Sequence, residues 1–127
     1  MLRKAYENFK ANENNDLKGK FETFKSENSS WLNDYSLFIS LKNHFNGLPW
    51  TEWPQDIKVR ENAAVNKYRE VLTDEIEYSN FIQYLFFNQW DNLKKYANDN
   101  GIKIIGDIPI FVAVDSSDAW ANPEIFL

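Results

Sequence analysis

The sequence contains no cysteine. That excludes a disulfide framework and any thiolate-ligated metal site. It also fits a reducing compartment, so a cytoplasmic protein is expected. There is a single histidine, His44. Without cysteine beside it, one histidine makes no zinc site, and no metal or other cofactor is expected. Glycine and proline are scarce, at four each. No glycine-rich phosphate loop and no nucleophile elbow can be found among them, and there is no repeat or low-complexity segment. No apolar run reaches the length of a membrane span. No apolar segment follows Met1–Lys10 that would make a signal peptide. Positive charge is in the minority, with 14 Lys and Arg against 19 Asp and Glu, a net charge of −5. The basic residues are scattered among acidic ones, which argues against the clustered footprint that nucleic acid requires. Neither nucleic acid nor a membrane is expected as a partner.

Aromatic residues, by contrast, are plentiful. They make up 17% of the chain, as ten Phe, six Tyr and five Trp. Such side chains bury large areas and need packing partners, and disordered chains are poor in them. A hydrophobic share of 43% with 26% charged residues is ordinary for a globular protein, and 127 residues suit one domain.

Apolar spacing places the elements. Leu2, Ala5, Tyr6 and Phe9 recur at helical spacing, as do Leu17, Phe21 and Phe24, with an Asn-rich linker between. Ser29 and Ser30 read as a helix start before Trp31. From Trp31 to Phe45 the apolar residues cover more than one stripe, which predicts a helix buried on two sides. Asn46-Gly47 ends it, with Pro49 beyond. The loop PWTEWP, Pro49 to Pro54, holds Trp50 and Trp53, read as packing residues rather than sugar-stacking ones. A helix is predicted over Asn62 to Leu72. Asp74 with Glu77 then suggests a capping box that restarts the helix. Ile76, Phe81, Ile82, Leu85, Phe86, Trp90, Leu93, Tyr96 and Ala97 form one continuous apolar face, ended by Asn98 to Gly101.

Beyond Gly101 the pattern changes. Ile102 to Ile105 is a short apolar run, and Ile108 to Val114 is another around Pro109. A run without alternation fits a strand covered on both faces, as in a parallel sheet. A long helix followed by such a strand is half of a βαβ unit. No other convincing strand can be found, so the strand would need partners from elsewhere. Asp115 to Asp118 reads on its own terms as a turn and helix start, since Asp and Ser are favoured there.

Gly101 to Phe126 reads GIKIIGDIPIFVAVDSSDAWANPEIF and resembles a signature segment of glycoside hydrolase family 77, the amylomaltases and disproportionating enzymes. Gly106, Asp107, Pro109, Ile110, Val112, Asp115, Ser116, Asp118, Trp120 and Pro123 fill the family pattern. Ala119 stands where the family usually has Val. Phe81 to Gly101 and Trp31 to Pro54 are similar to two further family blocks, in the family's order.

The resemblance implies an α/β fold class, here a fragment of a (β/α)8 TIM barrel with helical insertions, mostly α by content. Such barrels usually need about 250 residues. Residues 1–127 would be a partial domain: helical insertion material to about residue 75, then a barrel helix, the barrel strand Ile102 to Ile105 and an active-site loop. The implied reaction is transfer of α-1,4-glucan segments between maltooligosaccharides, with retention. Retention needs two carboxyl groups roughly 5–5.5 Å apart. In the family these lie on later strands, so no catalytic residue is expected within this chain and the chain alone should be inactive. The resemblance makes Asp115 the substrate contact, on the donor side. Ser116, Asp118 and Trp120 would belong to the active-site loop and shape it. This sugar role and the helix-start role of the Asp115 to Asp118 segment are compatible. The faces meant for the rest of a barrel would be exposed and would favour self-association. The alternative is a free-standing helical binding module, in which Ile102 to Ile105 would be paired or buried by the chain's own helices.

Overall fold

The computed structural model describes residues 1–126. Helix α1 is Leu2–Ala11 and α2 is Asn15–Glu27. The Asn-rich linker works as a helix start: the Asn14 side chain accepts from the backbone N–H groups of Asp16 and Leu17. Tyr6 and Phe21 are buried against Phe81, with Phe9 beside them. Phe9 and Phe81 have ring centroids 4.8 Å apart, and Phe9 meets Phe21 edge-on at 5.3 Å.

Helix α3, Ser29–His44, is central. It follows α2 after Asn28, whose side chain receives the Trp31 indole N–H instead of capping the helix. The helix does start at Ser29, as the sequence reads, but without a side-chain cap. The helix is buried on two sides, as its pattern predicts. On one side the buried Ser36 hydroxyl donates to the Asn80 side chain at 2.6 Å. On the other, Leu37, Phe38 and Leu41 pack into the main core with Trp50, Trp53, Ile57, Ala64, Leu72 and Trp120. The helix ends where Asn46 and Gly47 take φ of 54° and 82° and the Gly47 N–H returns to the Lys42 carbonyl at 2.7 Å.

The PWTEWP loop folds as a 3-10 turn, Trp50–Glu52, and a short helix α4, Gln55–Lys58, each preceded by a proline in extended conformation. Both tryptophans are buried, in agreement with the packing reading. Helix α5 is Asn62–Val71. Helix α6, Thr73–Asp99, has 27 residues and is about 40 Å long. No capping box forms at its start: Asp74 lies inside the first turn and pairs with Lys10 at 2.8 Å and Arg3 at 3.3 Å, while Glu77 pairs with Lys25 at 3.0 Å. Long-range charge pairing has taken these carboxylates from the local role that spacing assigned them. Asp74 and Glu75 still sit where the helix dipole favours negative charge.

The strand expected over Ile102–Ile105 does not form. Among the described residues there is no strand, and the run from Ile102 to Val114 is exposed. A strand is held by hydrogen bonds to a neighbour, and these residues have none beside them. The chain returns to its helices at α7, Ser117–Ala121, which packs on α3, and the described residues close with α8, Pro123–Phe126. The mostly α content expected of this chain is thus met, while the β part of the α/β class is not seen among the described residues. No helix among the described residues is long and apolar enough to cross a membrane.

Candidate functional site

Asp115 sits where the exposed Ile102–Val114 segment rejoins the helical core. Its carboxylate is held from two elements. One oxygen pairs with the Lys42 ammonium from the last turn of α3. The other accepts the Trp50 backbone N–H at 3.3 Å. The residue before it is also fixed, since the Trp50 indole N–H donates to the Val114 carbonyl at 2.7 Å. Asp115 remains open to solvent, with 38% of its side chain exposed. A carboxylate offers about four lone-pair sites, so two internal donors leave acceptor capacity for hydroxyls from solution.

The neighbouring residues divide the work. Ser116 is the N-cap of α7, its hydroxyl accepting from the Ala119 N–H at 3.3 Å. The turn-and-helix-start reading is therefore met by Ser116, which frees Asp115 from that duty. Asp118 lies in the first turn of α7 with its carboxylate exposed, favourably placed for the helix dipole. Trp120 is 1% exposed and belongs to the main core. Its indole N–H donates to the Ile57 carbonyl at 3.2 Å, and its ring packs on Phe38 and Trp53. The Arg60 guanidinium lies 4.3 Å above it and reaches Asp34 at 2.7 Å. Trp120 thus anchors the segment and presents nothing to a ligand.

The structure brings Lys42 and Trp50 to Asp115, and neither was singled out as a partner of Asp115 from sequence. Lys42 looks like any solvated helix charge, and Trp50 signalled only packing. Their link to Asp115 spans 73 and 65 positions, beyond any local spacing rule. His44 closes α3 with its ring against Phe45 and Tyr68, a packing position at a helix end. Among the described residues no cluster of three or more His, Asp or Glu side chains is arranged to hold a metal ion.

A family model described as 4-alpha-glucanotransferase matches residues 1–127. The chain belongs to this family. It is 50% identical to the 4-alpha-glucanotransferase of Clostridium butyricum over 127 residues, covering all of this chain and 25% of the relative. To the Thermus thermophilus 4-alpha-glucanotransferase it is 42% identical over 125 residues, covering 98% of this chain and 25% of the relative. Among solved structures it matches the amylomaltase from Streptococcus agalactiae in complex with acarbose, with a TM-score of 0.91 and 40% identity over 98% of this chain and 25% of that one. The chain thus spans about a quarter of the length of the relatives it matches. The helices of this chain leave the Ile102–Ile105 run exposed and unpaired. A self-contained helical module would have covered that run.

Proposed function

We propose that these residues form part of a 4-α-glucanotransferase acting on maltooligosaccharides, as a section of its (β/α)8 barrel and of the loop facing the sugar. About residues 1–75 are insertion material, and residues 76–127 supply a barrel helix, a strand that forms only beside neighbouring strands, and the loop bearing Asp115. Asp115 accepts hydrogen bonds from donor-side sugar hydroxyls, and charged acceptors make stronger bonds than neutral ones. Ser116, Asp118 and Trp120 set the shape of its loop. The nucleophile and acid/base carboxyls of a retaining reaction come from residues outside this set. The observation that carries the reading is the family match over residues 1–127. It is supported by the exposed apolar segment just before Asp115. The absence of cysteine suits the cytoplasm as the place of action.

The test is a transferase assay that follows glucose release from maltotriose. The 127-residue chain by itself should show no turnover. The same chain, put in place of the matching quarter of the Clostridium butyricum relative, should give an active enzyme. Robust turnover by the isolated chain, or a folded but inert chimera, would overturn the proposal.

A further inference from the structure

We infer that Lys42 is a positioning residue for Asp115: its ammonium holds the carboxylate in the orientation that meets the donor sugar. This rests on the reading of Asp115 as a sugar contact. The segment that delivers Asp115 is exposed. Among the described residues, Lys103–Ala113 makes no backbone–backbone hydrogen bond to the helices. An aspartate at the end of such a segment would sample several rotamers, and a ligand binding it would bear the ordering cost. Here that cost is met in advance from the rigid side. Lys42 stands in the last turn of α3, beside the buried Leu41, and 23% of its side chain is exposed. Its ammonium takes one oxygen of Asp115. The Trp50 N–H takes the other, and the Trp50 indole fixes the Val114 carbonyl. Three donors from the helical core thus fix two adjacent residues while Asp115 keeps unused acceptor sites. Lys42 makes no sugar contact in this account. It acts through Asp115 by preorganisation.

The kinetic test uses the chimera described above, with Lys42→Met, Lys42→Arg and Asp115→Asn compared for KM and kcat on maltotriose. Lost binding that is equal in ground and transition states raises KM and leaves kcat alone. Losing a hydrogen bond to a charged group amounts to roughly a tenfold or larger change in affinity. Asp115→Asn and Lys42→Met should therefore each raise KM about tenfold with kcat nearly unchanged, and Lys42→Arg should recover most of the loss because its guanidinium can still donate to the carboxylate. If Asp115→Asn raises KM and Lys42→Met does not, the positioning role falls and the sugar contact stands. If Asp115→Asn has no effect, both fall. A second measurement needs no catalysis. In the 127-residue chain, NMR couplings should report one Asp115 χ1 rotamer, and Lys42→Met should average it while leaving the buried Trp120 indole signal in place. An Asp115 rotamer unchanged by Lys42→Met overturns the inference.

Discussion

Phe81 and Phe86 lie five positions apart on α6, yet the first is 4% exposed and the second 57%. Their chemistry is identical, and the five positions between them turn the helix by about 140°, so they point to different sides of it. The difference lies in what stands opposite. The first half of α6 meets α1, α2, α3 and α5, and its apolar residues close two cores. In the second half Phe86, Leu93 and Tyr96 face solvent, as does the following Ile102–Val114 segment, although Ala97 is buried and Phe87 packs on Phe24 and Trp31. Exposed apolar side chains scattered singly are normal, but a contiguous stripe marks a surface made to be covered. Side-chain pattern encodes the demand for burial, and the burial itself depends on a partner.

The comparison can be broken most decisively in the buried region. Trp120 lies just beyond the exposed segment but packs in the main core against Phe38 and Trp53. Trp120→Ala should cost about 3–5 kcal/mol, enough to unfold most of a marginally stable domain. Urea denaturation followed by circular dichroism measures it. A loss below about 1 kcal/mol, typical of a surface site, would mean that α7 only drapes over the core and that the two regions do not differ as described.

What sequence could reveal follows the same division. The helices were legible because their apolar periodicity and end signals are local: Asn46-Gly47 closes α3, and Asn98 to Gly101 closes α6. The packing role of Trp50 and Trp53 was legible from their proline-bracketed loop. Features set by distant residues were not. Asp74 and Glu77 have the spacing of a capping box, but Lys10, Arg3 and Lys25 reach them from α1 and α2. Ile102–Ile105 has the composition of a strand, but strand geometry is a property of the pair. Asp115 could be singled out only through the family pattern, and its tie to Lys42 could not be foreseen, because a lysine on a helix carries the same local signal whether or not a carboxylate meets it.

A smaller effect should appear at high pH. Burial, reinforced by the negative charge of Asp74, pushes the Tyr6 hydroxyl up to about 12. Folding therefore favours the protonated phenol. The associated stability is complete below the ordinary tyrosine value of 10.0 and is lost as pH rises from there toward about 12. Melting temperature measured across that range should fall, and Tyr6→Phe should remove part of the fall by eliminating the titrating group. Equal alkaline slopes for the two proteins would show that Tyr6 is not held in the buried cluster.

The smallest expected change in stability sharpens the comparison furthest. Leu93 and Ile105 are 56% and 92% exposed. Replacing both with lysine should shift the unfolding free energy of this chain by no more than about 0.5 kcal/mol, since surface substitutions remove little packing. The same change interrupts the apolar stripe, so light scattering should show less self-association than the parent chain at equal concentration. A parent chain that is already a well-behaved monomer at high concentration would mean that the stripe is too small to need a cover. In the chimera with the Clostridium butyricum relative, the two lysines should instead reduce stability and activity together, because there the stripe would lie against the rest of the fold. Neutral in one setting and damaging in the other is the signature of surface that becomes core on assembly, and an ordinary solvent-facing helix would be neutral in both.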